Sequence, residues 1–327
     1  MNLVMMGTGL FAEPTFDALL ASPHRVVGLF TQPDRAVGQE RGSTRQTGRG
    51  MKAIAQEHHV PVFQPESVNT PEGVAMLREL HPDLVVIAAF GQILKAPVLD
   101  VPKFGAINVH ASLLPKYRGA APIAWAIYHG ETRTGVTIFK LTVGLDSGDM
   151  LAKEAIDIGP DEMAGEVEAR LAPIGARLAA LVVDRFAAGP VAGEKQDPAQ
   201  ATKAPKLKKE DGLIDWTRGD EQVCNQIRAM QPWPTAYTFF HASGKPPLRL
   251  IICRAVVNTD VDFEFPLTPG ELSWSSNPPY LIAGTGSGPA GVKILELQPA
   301  GKKRMTAEEF LRGRKPQPGD RLGSEQP

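Results

Sequence analysis

Only two cysteines, Cys224 and Cys253, occur in the 327 residues. Two thiols cannot build a disulfide framework or a zinc cluster, so neither is expected, and no other metal-ligand grouping is visible. Long hydrophobic runs are scarce too. The longest, Leu84 to Phe90, falls far short of the ~18 residues a membrane-crossing helix needs, so no membrane partner is expected. The stretch from Met1 to Gly7 has no basic segment and no extended apolar core. No secretory signal is read there, and a cytoplasmic address is the default expectation. Charge of one sign is lacking as well: the net of −1 excludes a uniformly basic nucleic-acid binder. Lysine and arginine nevertheless outnumber acids from Lys203 onward, so local basic patches matter more than the total.

What is plentiful is Gly (32) and Pro (29), which implies many turns and long loops. Hydrophobic residues at 43% and charged residues at 22% fit a soluble globular chain. At ~150 residues per domain the length suggests two domains. The first half alternates strand and helix signals. Asn2–Met6, Arg25–Phe30, Val60–Phe63 and Leu84–Ala89 are short apolar runs, the last with no polar face. Runs of that kind suit strands buried on both sides of a parallel sheet. Helical spacing marks residues 10 to 21, 71 to 80 and 163 to 187. The expected fold is therefore α/β, a doubly wound, Rossmann-like domain over residues 1–189. Residues 190–208, broken by Gly189-Pro190, Gly193 and Pro198, read as a linker. Residues 209–327 carry one helix near 219–229 and then short strand-like segments, the pattern of a small OB-like β-barrel. The Pro/Gly-rich tail from Lys315 is expected to fray.

Three motifs carry candidate chemistry. Gly7-Thr8-Gly9-Leu10-Phe11-Ala12 follows a strand and opens a helix, matching the glycine turn of dinucleotide sites, with Asp34 placed to be a ribose acid. Such turns also occur wherever a strand bends sharply into a helix. The second motif is stronger. Asn108 and His110 stand two apart in a strand pattern, so their side chains share one face at the strand's C-terminal end, where open α/β sheets place ligands. A carboxamide can stabilise an oxyanion and an imidazole can move a proton. The third is Gly144-Leu145-Asp146-Ser147-Gly148-Asp149, a tight turn able to present a carboxylate to a histidine and raise its pKa. Spacing alone does not choose between Asp146 and Asp149.

The stretches Asn108–Pro115, Tyr117–Ile123, Thr134–Thr137 and Gly144–Met150 together resemble the folate-dependent formyltransferases. The likeness is nearest to those acting on charged initiator tRNA. Phe30–Arg35, Lys206–Glu210 with Ile214–Trp216, Pro232–Pro234 and Leu297–Lys303 extend it almost end to end. The resemblance implies a Rossmann-like formyltransferase domain, a linker and a C-terminal OB-like domain that binds tRNA. It implies 10-formyltetrahydrofolate as donor and the α-amino group of initiator methionyl-tRNA as acceptor, with no metal. It assigns catalysis to Asn108, His110 and Asp146, and the folate pocket to Ser112, Leu113, Leu114 and Pro115 with Phe90, Gly91 and Ile93. Arg35, Arg41, Arg45 and Arg49, with Lys206, Lys208 and Lys209, are the expected tRNA contacts. A monomer is expected. Three features depart from the family's pattern: Gly9 where proline is common, Ala111 where glycine is common, and no adjacent lysines in the loop from 36 to 50. Three other functions remain to be weighed: formyl transfer to an amino sugar or purine precursor, a nicotinamide oxidoreductase built on Gly7 and Gly9, and a non-catalytic RNA-binding protein. A small acceptor needs no barrel, which argues against the first of these.

Overall fold

The computed structural model describes residues 1–34, 48–260, 266–286, 290–314 and 316–326. The chain divides into two units. One comprises Met1–Ile123, Arg133–Asp157 and Glu166–Lys206, the other Ala124–Thr132, Ile158–Gly165 and Leu207–Pro327. Arg35, Arg41 and Arg45 lie outside the described residues.

In chain order the elements begin β1 (Asn2–Gly7), α1 (Glu13–Leu20), β2 (Arg25–Phe30), α2 (Met51–Glu57), β3 (Val62–Phe63), α3 (Pro71–Glu79), β4 (Leu84–Ala88) and α4 (Ala96–Leu99). There follow β5 (Ala106–His110), β6 (Arg118–Gly119), α5 (Pro122–Tyr128), β7 (Arg133–Lys140), β8 (Met150–Asp157), α6 (Ala164–Ala188) and β9 (Lys203–Ala204). Seven strands form one sheet in the order β3-β2-β1-β4-β5-β7-β8. The first five run parallel. Leu3, Val4, Met5 and Met6 in β1 are all fully buried, as a strand covered on both faces requires. The sheet is not parallel throughout, however: β7 pairs antiparallel with both β5 and β8. Residues 141–149 are too few for the crossover that a parallel pair needs, so the chain turns back as a hairpin. That hairpin turn is the Gly-x-Asp-x-Gly motif.

Helix α1 starts three residues later than the apolar spacing suggests. Gly9 sits at φ +77° and its carbonyl accepts from Ala12 N, a tight turn ahead of the helix. On β5 the alternation is direct. Val109 faces α6, where a Cβ on Gly175 would lie 2.6 Å from Val109 Cγ1. Asn108 and His110 therefore occupy the opposite face.

The second unit contains α7 (Asp220–Ala229), β10 (Tyr237–His241), β11 (Leu248–Val257), β12 (Leu272–Ser276), β13 (Pro279–Ala283), β14 (Val292–Pro299), β15 (Met305–Thr306), α8 (Ala307–Gly313) and β16 (Arg321–Gly323). The antiparallel order is β12-β13-β14-β11-β10-β16. A bridge between Glu271 and Arg321 brings its two edges together, curling the sheet into the expected barrel-like form. The tail is therefore not frayed: β16 pairs with β10, and Leu322 is buried in the core, which outweighs the turn-rich composition before it. Cys224 and Cys253 are free and buried, the former thiol pushed up to about 12 by desolvation, and so inert.

Candidate active site

The C-terminal edge of β5 carries an interlocked polar cluster. His110 is 5% exposed. Its ring meets Phe139 edge-on, with centroids 6.1 Å apart. Nε2 lies 2.9 Å from the Tyr117 carbonyl. A carbonyl only accepts, so Nε2 carries the proton and donates, and in the neutral ring Nδ1 is bare. Nδ1 faces Asp146, with Oδ2 at 3.8 Å. The same Oδ2 accepts from Gly119 N at 2.7 Å. Asp146, not Asp149, is thus the carboxylate brought to the histidine. Asp149 instead uses its backbone carbonyl, which accepts from Lys140 N.

The electrostatics run against a simple expectation. Burial pushes the His110 pKa down, and this outweighs the upward pull of the Asp146 carboxylate and of the Tyr117 hydrogen bond. At rest the ring is therefore neutral, with an available lone pair on Nδ1. Asn108 is half-buried beside it. Among the described residues, no group takes up its carboxamide, so both N–H donors remain available.

Two residues here hold left-handed backbone without being glycine: Tyr117 at φ +61° and Asp146 at φ +44°. Each costs about 1–2 kcal/mol and must be held by its surroundings. Tyr117 N donates to Thr202 Oγ1 at 2.8 Å, and the pairing of β6 with β9 continues that contact. Gly119 tolerates no side chain, because a Cβ would sit 2.4 Å from the Ala204 carbonyl oxygen. Residues 196–204, which carry no sequence motif for chemistry, therefore brace the loop that holds the histidine. A parallel strand pair of two residues leaves no periodicity to read.

The residues assigned to a folate pocket divide by exposure. Phe90 and Leu114 are 2% exposed and serve the core. Ser112 is fully buried; its hydroxyl donates to the Lys116 carbonyl and its own carbonyl accepts from Thr137 Oγ1. Leu113 and Pro115 are half-buried, Gly91 is exposed, and Ile93 is 78% exposed. The loop after β4 is pinned where it starts: Gln32 Nε2 donates to the Phe90 carbonyl, and Asn69 Nδ2 to that of Ile93. Because β4 and β5 are parallel neighbours, this loop and His110 leave the same edge of the sheet.

The remaining basic residues fare differently. Arg49 is already engaged by Asp17 and Glu57, which raise its pKa. Lys206, Lys208 and Lys209 are exposed, and among the described residues their ammonium groups have no partner. The glycine turn at Gly7 is structural. A Cβ there would lie 2.8 Å from Ala12 Cβ, so glycine lets the helix approach the strand. Asp34 is taken by Lys52 and Gln64, which lower its pKa, and cannot serve as a free ribose acid. Glu13 in the first turn of α1 accepts from Arg49 N and Gly50 N, putting a carboxylate where a pyrophosphate would need donors. No group of three or more metal-competent side chains occurs among the described residues, and no described helix is long and apolar enough to cross a membrane.

A family model described as formyl transferase matches residues 1–183, and one described as the formyl transferase C-terminal domain matches residues 206–315. The chain is 47% identical over 323 residues to the methionyl-tRNA formyltransferase of Geobacter sulfurreducens, covering 99% of this chain and 97% of that one. It is 42% identical over 322 residues to the methionyl-tRNA formyltransferase of Bacillus licheniformis, covering 98% of each. Among solved structures, the N-formyltransferase of Helicobacter canadensis in complex with folinic acid and dTDP-3-aminofucose is similar in fold, with a TM-score of 0.64, 17% identity, and coverage of 89% of this chain and 97% of that one.

Proposed function

The chain belongs to the formyl transferase family, and from that premise we propose that it moves the formyl group of 10-formyltetrahydrofolate to the α-amino group of methionyl-initiator-tRNA. The product is formylmethionyl-tRNA for translation initiation. Near-complete alignment with methionyl-tRNA formyltransferases at 40–47% identity carries this reading. The site geometry supports its chemistry.

The donor is effectively an amide and the nucleophile an amine. An α-amino group titrates near ~7.7–8.0, so part of it is neutral at cellular pH. The amine nitrogen bonds to the formyl carbon, the carbonyl oxygen becomes an oxyanion, and the bond to the folate nitrogen then breaks. The free Asn108 carboxamide donates to that oxyanion, a contact of the kind worth about 2.7–4 kcal/mol. His110 Nδ1 takes the proton the amine must lose. Asp146, facing the same nitrogen, favours the imidazolium that forms, and the proton passes on to the leaving folate nitrogen. General acid–base help of this kind supplies ~10²–10⁴-fold. A neutral His110, favoured by its burial, starts this cycle in the form it needs.

Ser112–Pro115 and the Phe90–Ile93 loop then frame the donor. Residues 1–189 carry the chemistry, 190–208 join the halves, and 209–327 contribute tRNA binding. Lys206, Lys208 and Lys209, with Arg35, Arg41 and Arg45, contact phosphates, and Arg49 joins them by exchanging its exposed ion pairs with Asp17 and Glu57. The enzyme is read as a monomer, working in the cytoplasm with its tRNA. The test incubates the protein and donor with methionyl-initiator-tRNA, free methionine, or an amino-sugar nucleotide. Formylation of the charged tRNA alone is expected; formylation of the sugar instead would overturn the acceptor.

A further inference from the structure

We propose that Gln196 is a positioning residue for this reaction, its buried carboxamide locking the backbone of the Asp146 turn so that the carboxylate stays against His110. The inference rests on the reading of Asp146 as part of the catalytic group.

Gln196 lies in the stretch between α6 and β9 and is 8% exposed. Its Nε2 donates to the Asp146 carbonyl and to the Gly148 carbonyl, each at 2.8 Å. Its Oε1 accepts from Arg118 Nε at 3.0 Å and Arg118 Nη2 at 2.7 Å. Both donors and both lone pairs of the amide are used, a complete set for this side chain. The orientation is fixed by chemistry. A flipped amide would aim its oxygen at two carbonyls and its N–H groups at a guanidinium.

What the amide holds is a strained turn. Asp146 sits at φ +44°, a conformation a residue with a Cβ leaves unless its surroundings prevent it. Gly119 N holds the carboxylate end, and Gln196 holds the peptide carbonyl end. Arg118, one residue before Gly119, hangs on the other side of the same amide. One side chain thus couples the two segments whose spacing sets the distance from Asp146 to His110. Without it, the turn is free to relax and carry the carboxylate away from the ring. Misplacement by about 1 Å can cost 10²-fold in rate, and supporting residues around a reactive centre are worth ~10–100-fold.

The test is steady-state kinetics of the full chain on 10-formyltetrahydrofolate and methionyl-initiator-tRNA, with Gln196→Met, Gln196→Glu, Asp146→Asn and the Gln196→Met/Asp146→Asn pair. Gln196→Met removes all four hydrogen bonds at similar volume. Gln196→Glu keeps the Arg118 contacts but replaces the donating NH2 group with an oxygen that can only accept, and should be equally slow. In each, kcat should fall about 10–100-fold while both KM values stay within ~3-fold. The acid limb of kcat should move to lower pH in Gln196→Met and in Asp146→Asn alike, because the carboxylate that favours imidazolium has left in both. Substrate amine ionisation is common to all variants and cancels. The pair should be no slower than its slower member. Should Gln196→Met not fold by circular dichroism, the near-isosteric Gln196→Glu carries the same expectation. Wild-type kcat in a folded Gln196 variant while Asp146→Asn is slow overturns the positioning role alone, as does a pair whose losses multiply. Wild-type turnover in Asp146→Asn overturns the reading of Asp146 itself, and this role with it.

Discussion

Two parallel strands of the mixed sheet end in polar loops, and they end very differently. After β1 comes Gly7-Thr8-Gly9, the motif with the plainer sequence signature. Its polar partners are all spoken for: Glu13 holds two backbone N–H groups, and Asp34 is shared between Lys52 and Gln64. After β5, the Asn108 carboxamide has no partner among the described residues, and the His110 ring keeps a bare nitrogen beside a carboxylate. A glycine signature reports that a backbone turns tightly. Unused hydrogen-bonding capacity next to a buried base reports that something else is to be bound.

That contrast breaks first at Asn108. Asn108→Ala should lower kcat about 10²–10³-fold with little change in thermal midpoint, since on the proposed mechanism it removes the oxyanion donor and no internal hydrogen bond among the described residues. A variant with near-normal turnover would place the two loops on equal footing. Next in size, Asp146→Asn should cost roughly 10–100-fold in kcat by the scale for supporting groups, whereas Asp149→Asn should leave turnover nearly intact. Reversal of that pair would move the carboxylate assignment. The pH profile sharpens the same point. On the proposed mechanism His110 is the neutral base, and burial holds its pKa below the ordinary ~6.5, so the ring, followed by NMR in the protein without substrate, should stay neutral as pH falls past that value and gain its proton only below it. A ring that gains its proton above that value would mean that the carboxylate, not burial, governs it.

Smaller effects belong elsewhere. Replacing Lys206, Lys208 and Lys209 by Gln should raise KM for charged tRNA several-fold. The slope of its salt dependence should also flatten by up to ~0.9 for each phosphate no longer neutralised, with KM for the formyl donor unchanged. At the glycine turn the effect should fall on stability alone. Gly7→Ala puts a Cβ 2.8 Å from Ala12 Cβ and should cost about 1–3 kcal/mol by denaturant titration, with activity per folded molecule preserved. Asp34→Asn, breaking an exposed ion pair, should change neither rate nor affinity measurably.

Much of this was legible in the residues. Continuous apolar runs named β1, β2 and β4, and period-two reasoning put Asn108 and His110 on one face. The spacing left Asp146 and Asp149 open, and only the family resemblance pointed to Asp146, since the backbone of the turn decides which carboxyl reaches the ring. Short helices such as α2 and α4 escaped because so few residues show no period. Leu322 escaped because a strand of three residues after Pro316, Pro318 and Gly319 looks like tail. The protonation state of His110 escaped for a different reason. It depends on desolvation, which no local pattern encodes, whereas the neighbouring carboxylate that opposes it was easy to see.

The alternation along β5 has an evolutionary edge to it. Val109 looks toward Gly175 of α6 while its two neighbours look the other way. Losing or gaining one codon ahead of Asn108 would exchange those outlooks, turning amide and imidazole toward the helix and valine to the face they now occupy. Every reactive residue would still be encoded, and the reaction would be gone. Point substitutions can sample this strand one side chain at a time; length changes within it cannot be sampled at all.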